Sequence, residues 1–166
     1  KMGIKASATC VMNFDGAKGY LIGPPNKGLN CMFTFMNVAR LGTAVQGLAH
    51  AELSYQGALA YARERLAMRS ITGAKNPDGP ADPIIVHPDV RRMLLTQKAF
   101  AEGSRAFLYY LAQLSDVERF AKGKRAKDAD NLMALLTPIA KAFVTETGFE
   151  SANLGVQEFG GHGFIR

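Results

Sequence analysis

Tryptophan is absent from this sequence, cysteine occurs twice and histidine three times. Each scarcity closes off a class of chemistry. Cys10 and Cys31 are too few for a disulfide framework, and neither has the local spacing of a redox pair or a zinc ligand set. Two reduced thiols suit a reducing compartment, so a cytoplasmic location is expected. His50, His87 and His162 lie far apart without partners at ligand spacing, and no metal site is expected. Long apolar runs are missing too. No segment reaches the ~18–20 uninterrupted apolar residues of a membrane span, and no apolar core follows residues 1–5 to make a signal peptide. No serine or cysteine sits in a nucleophile elbow; Ser54 and Ser104 read as helix-packing residues.

The 166 residues, 48% hydrophobic and 20% charged, suffice for one folded domain with a full core. The net charge is +6. Its densest basic run is Arg119, Lys122, Lys124, Arg125 and Lys127, bordered by Asp116, Glu118, Asp128 and Asp130. Aromatic residues are not interleaved there as stacking platforms, so the run reads as a solvated helix end and loop, and no nucleic-acid partner is expected.

Residues 4–22 alternate as β-structure, with Asp15-Gly16 as a turn and Gly23-Pro24-Pro25 as the end. Two short strands make no stable sheet by themselves. They are expected to join strands outside this chain, and the abrupt ends of the sequence suggest a piece of a longer protein. From about Gly28 to Ser70 the pattern is helical: Phe33, Met36, Arg40, Thr43, Gly47 and Ala51 recur at steps of three and four, as do Leu41, Val45, Leu48, Glu52 and Tyr55. Small residues along this helix allow close approach of neighbours. Residues 73–83 break the pattern as a loop, and Pro88 with Asp89 opens a second helix. That helix carries Leu94, Gln97, Ala101, Ser104, Leu108 and Leu111 in one stripe and ends near Phe120, with Gly123 beyond. A third region starts near Asp128. Pro138 should kink it or start a new helix capped by Thr137, and Ser151 should cap a short last helix ending at Gly160-Gly161. The expected fold is mainly α: an antiparallel four-helix bundle with a short β remnant at the N-terminus.

Two glycine-rich stretches invite a phosphate-binding reading. The first, Gly23-Pro24-Pro25-Asn26-Lys27-Gly28, lacks the Gly-Lys-Ser/Thr ending of a phosphate loop and reads as a turn before a helix. The second, Gly160-Gly161-His162-Gly163, follows a helix end and could bare backbone N–H groups to an anion.

Together with the rest of the chain the second stretch becomes specific. Gln157-x-x-Gly160-Gly161-x-Gly163-Phe164 resembles the Q-x-x-G-G-x-G-[FY] segment of acyl-CoA dehydrogenases. Lys1-Met2-Gly3-Ile4-Lys5-x-Ser7 resembles a strand of that family's middle domain. Asn26-Lys27-Gly28-Leu29 is similar to the turn into its long helix, followed by Arg40 and by Tyr61-Ala62-Arg63-Glu64-Arg65, like its Y-[AS]-x-x-R. The order and approximate spacings match over nearly the whole chain, with residues 73–82 and 119–130 looking like insertions of a subgroup.

The resemblance implies an FAD-dependent enzyme that oxidises the Cα–Cβ bond of an acyl-CoA, a carboxylate taking the Cα proton and the flavin taking the hydride. It implies that residues 1–25 end the middle β-domain and residues 26–166 form most of the C-terminal bundle, which assembles as a dimer or tetramer. It places Arg65, Gln157, Gly160 and Gly161 at an FAD held mainly by a neighbouring subunit. Met68 and Arg69 stand where the family often has Phe-Gly, so an aromatic flavin contact is either lost or replaced by the sulfur of Met68. Met36, Ala39, Arg40 and Thr43 should line or support the acyl pocket. Ala39 occupies a position where some members carry the catalytic glutamate, and no carboxylate matches either known location of the base, so no catalytic residue and no turnover are expected from this polypeptide alone. An electron-transfer flavoprotein or similar acceptor is the implied redox partner. Acyl-CoA oxidases and flavin monooxygenases share the bundle and stay open as alternatives, as does a non-catalytic helical interaction module.

Overall fold

A computed structural model describes residues 3–165. Three long helices fill most of it: α1 (Gly28–Glu64), α2 (Pro88–Phe120) and α3 (Lys124–Phe159), followed by the single turn α4 (Gly161–Phe164). The long helices run antiparallel to their sequence neighbours through short or doubled-back connections, and each packs on the other two.

The small residues of α1 decide how it packs. Its buried positions are Ala44, Gly47, Ala51, Ala58 and Ala62. At Gly47 a Cβ would collide with the carbonyl of Val144, and at Gly148 one would collide with the carbonyl of Gly47, so α1 and α3 touch backbone to backbone there. Larger residues would hold the two helices apart. On one side of this crossing Ala44, Leu108, Leu111, Ala140 and Val144 form an apolar cluster. On the other, Ala58, Ala62 and Leu94 pack with Tyr55, Leu59, Ile84 and Ile85.

The second helix begins with Pro88, whose missing N–H costs nothing in the first turn, and with Asp89, whose charge suits the positive end of the helix dipole. Its stripe from Leu94 through Gln97, Ala101, Ser104, Leu108 and Leu111 is buried throughout, joined by Met93. It ends at Phe120, and Gly123, at φ 61°, turns the chain into α3.

Three expectations change. The first helix stops at Glu64 rather than near Ser70, because Arg65 turns extended, its carbonyl accepts from the Ile84 N–H, and Leu66 pairs with Pro83. The third helix begins at Lys124 and runs unbroken through Pro138 and Ser151. Thr137 and Ser151 do not cap: their hydroxyls donate to the carbonyls of Met133 and Thr147, one turn back. Proline is tolerated because Pro138 and Ala134, whose carbonyl loses its helical donor, both lie on an exposed side open to water. Finally, residues 3–27 carry no strand. The Asp15-Gly16 turn is present, with Ala17 N–H donating to Phe14 at 2.9 Å, but Val11 is 99% and Ile22 92% exposed. Alternation alone makes no sheet where there is no neighbour to pair with. Lys1 and Met2, with which the strand motif opens, lie outside the described residues.

Candidate cofactor site

The chain leaves α1 at Arg65 and returns to the same end of the bundle as Gly160, so two segments a hundred residues apart share a wall. Both turns are fixed by the backbone. The Arg65 N–H closes α1 on Tyr61 at 2.8 Å, while its carbonyl accepts from Ile84 at 2.8 Å. Gly160 ends α3 at φ 57°, a conformation that side chains disfavour, and its N–H donates to Gln157 at 3.0 Å. Between them opens a recess of about 420 Å³ lined by Arg65, Tyr61, Glu158, Gly160, Gly161 and His162, with Ala67, Ile84, Phe159 and Ile165 as its apolar wall.

Arg65 is exposed and forms no ion pair among the described residues. Tyr61 is held by stacking, its ring 4.7 Å from that of Phe159, and by a 3.1 Å hydrogen bond between its hydroxyl and Nδ1 of His162. A cation, a bare glycine backbone and two aromatic rings thus meet around one opening.

Behind this wall lies a polar layer inside the bundle. Gln97, fully buried, donates from Nε2 to Oε2 of Glu158 at 2.6 Å. The Ser54 hydroxyl faces two acceptors, Gln97 Oε1 at 2.8 Å and the Ser151 carbonyl at 2.7 Å, which share its one proton. Glu158 itself is 4% exposed, and its Oε1 has no partner among the described residues. Burial, only partly opposed by the Gln97 hydrogen bond, pushes its carboxyl up to about 7.

The structure therefore brings together three of the five residues expected at the cofactor: Arg65, Gly160 and Gly161. Gln157 and Met68 are exposed and do not line the recess. Met68 instead takes φ 60° in the turn after α1, and its carbonyl accepts from Asp82 N–H at 2.9 Å. The four residues expected at the acyl pocket do not share a cavity. Arg40 lies over the ring of Phe33, 5.6 Å from its centroid, in a recess of about 420 Å³ with Asn37, Glu118, Asp130 and Met133. Thr43 borders a separate hollow of about 300 Å³ with His50 and Phe149, and its hydroxyl donates to the Ala39 carbonyl at 2.9 Å. Met36 is half-buried and Ala39 exposed, in neither hollow. Among the described residues no cluster of histidine, cysteine and carboxylate could hold a metal ion. Among the described residues no helix is long and apolar enough to cross a membrane.

A model of the acyl-CoA dehydrogenase C-terminal domain matches residues 26–166. The chain belongs to the acyl-CoA dehydrogenase family. Its similarity to curated members extends across its full length: 45% identity to 3-methylmercaptopropionyl-CoA dehydrogenase of Ruegeria pomeroyi over 99% of this chain, and 36% to a broad-specificity linear acyl-CoA dehydrogenase of Mycobacterium tuberculosis over 100% of it. A butyryl-CoA dehydrogenase of Syntrophomonas wolfei is 33% identical over 99% of the chain. The chain spans about 28% of the length of each of these relatives.

Within this member of the family the motifs did not single out Tyr61, Glu158 and His162 as recess residues. All three lie inside the motifs that led to Arg65 and the glycines, so a signal was present: Tyr61 is the tyrosine of Y-x-x-x-R, and Glu158 and His162 are variable positions of Q-x-x-G-G-x-G.

Proposed function

We propose that this chain is the flavin-facing and thioester-facing helical part of an FAD-dependent acyl-CoA dehydrogenase that converts an acyl-CoA to its 2-enoyl-CoA. The observation that carries the reading is the exposed Arg65 guanidinium, without an ion pair among the described residues, sharing one recess with the Gly160-Gly161 backbone. A guanidinium without an ion pair among the described residues fits a diphosphate by charge-assisted hydrogen bonds, and glycines leave room for a phosphate to approach the backbone. FAD, when bound, supplies the hydride acceptor; the chain's own contribution is to hold its diphosphate through Arg65, Gly160 and Gly161. Gln157 and Met68 belong to the same flavin surface, reached from outside the recess by a cofactor carried on another subunit.

Met36, Ala39, Arg40 and Thr43 fall along one stretch of α1, and we assign that side of the helix to the acyl-CoA. No residue of this chain is assigned as the base that removes the Cα proton, since Ala39 carries no proton acceptor. Residues 1–25 are read as the last strands of a β-domain completed elsewhere, a reading supported by the bare apolar side chains of Val11, Tyr20 and Ile22. Electrons leave to an electron-transfer flavoprotein or similar acceptor.

The test uses the whole flavoprotein. Arg65→Gln should weaken FAD retention by about 10–100-fold, the worth of one or two charge-assisted hydrogen bonds. Arg65→Lys should fall between, having charge but no fork. Unchanged flavin absorbance after gel filtration of Arg65→Gln would sink the assignment. Oxygen consumption measured against reduction of an artificial acceptor separates this reaction from that of an oxidase.

A further inference from the structure

Glu158 is the group that the flavin reading leaves unexplained. It sits in the wall of the recess beside Arg65, Gly160 and Gly161, yet it is a carboxyl with one oxygen unpartnered and no cation paired to it among the described residues. An orphaned buried polar atom is costly, and a charged carboxylate would repel whatever anion Arg65 attracts. We infer that Glu158 couples the recess to protons: the site takes its anionic group together with a proton on Glu158, and releases that group more readily when Glu158 ionises. The inference rests on reading the recess as an anion site; it adds that occupancy is proton-linked.

The surroundings leave Glu158 free to respond. The first helix presents Tyr61 to the recess and Arg65 follows its end, α4 presents His162, the turn after the loop presents Ile84, and from α2 Gln97, which does not titrate, reaches the carboxyl itself. Gln97 Nε2 can donate to the ionised or to the neutral carboxyl, so the hydrogen bond survives both states. Burial disfavours the charged form and places its titration near neutrality, at about 7. An anion in the recess that Glu158 lines then adds repulsion that is relieved by taking up one proton. Linkage makes the effect reciprocal: whatever the anion does to the proton affinity, the proton does to the anion affinity.

The coupling is read directly on this chain by following the Glu158 carboxyl carbon by NMR through a pH titration, with and without inorganic sulfate, at ionic strength held constant with chloride. Sulfate is the probe because it stays dianionic throughout. The expected result is a midpoint near neutrality that rises by about one pH unit with sulfate, equivalent to about tenfold weaker sulfate binding once Glu158 is ionised. The same shift should persist in His162→Gln, which removes the imidazole from the recess. A midpoint in the ordinary carboxylate range, a midpoint that ignores sulfate, or a shift that vanishes with His162 overturns the inference. The flavin assignment fails separately. An unmoved midpoint with flavin loss in Arg65→Gln sinks the coupling and spares the cofactor site, whereas a sulfate-linked shift with unchanged flavin retention does the reverse.

Discussion

At the scale of single residues, two glycines of α1 should behave in opposite ways. Gly47→Ala drives a methyl group into the Val144 carbonyl, a backbone atom that moves only if α1 and α3 separate. Overpacking of this kind costs about 1–3 kcal/mol, more than the ~1 kcal/mol that alanine gains in helix propensity. Gly42 has nothing within 4 Å of where its Cβ would be, so Gly42→Ala should keep that gain and raise stability by about 0.5–1 kcal/mol. Chemical denaturation of both variants tests the contrast, and a stabilised Gly47→Ala would contradict the backbone contact. Glu158 adds a pH dependence. Its folded-state carboxyl titrates at about 7, above the ordinary value of 4.5, so between those two values the folded chain binds more protons than the unfolded one. Stability is therefore highest on the acid side of that window and falls through it by about 2–3 kcal/mol. Glu158→Gln keeps the Gln97 contact but has nothing to ionise; its denaturation midpoint should be flat where the wild type declines.

At the scale of elements, the loop between α1 and α2 depends on one carboxylate. Asp82 is fully buried, accepts from the N–H groups of Ser70, Lys75 and Asn76 at 2.7–2.9 Å, and meets Arg69 at 3.3 Å. The Ser70 N–H, more than any other contact, holds its carboxyl down at about 2. The order it gives is complete above the ordinary aspartate range and disappears as pH falls toward about 2. Asp82→Asn should leave the helices intact but speed amide exchange at Ser70, Lys75 and Asn76, and protection unchanged in that variant would show that the backbone alone holds the loop. This loop also shows what sequence reading can and cannot reach. Residues 73–83 announced a loop through glycine, proline and aspartate, but that Asp82 reaches back to Ser70 is a tertiary fact. The boundaries of α2 were legible because Pro88, Asp89 and Gly123 act through local backbone chemistry. Its buried stripe was legible because it repeats at helical spacing. Pro138 and Ser151 misled because a proline facing water and hydroxyls that bond one turn back leave a helix unbroken. The recess was half legible: Arg65 and the glycines each lie in a compact motif, whereas the Ser54–Gln97–Glu158 layer joins three helices through single polar residues in otherwise ordinary packing stripes.

At the scale of the whole molecule, the distribution of apolar surface is lopsided. Alanines make up much of the core, while many large apolar side chains lie outside it. Leu29, Phe35 and Val38 on α1 and Leu135, Ile139 and Phe143 on α3 are each between 48% and 71% exposed. A monomer in water gains nothing by presenting rows of such residues, and contiguous apolar surface usually marks contact with another protein surface. The dimer or tetramer that the family resemblance implies would supply such a surface. Sedimentation velocity across micromolar concentrations should then show association of this chain. Replacing Ile139 and Phe143 together by glutamate should shift the distribution toward monomer while far-UV circular dichroism keeps its helical signal, because both side chains lie outside the buried cores of the bundle. The direction follows from desolvation: a carboxylate at a closed interface must either ionise without water or leave it. A wild-type chain that stays monomeric at every concentration would rule out self-association of the bundle and leave those rows to a domain from elsewhere in a longer protein.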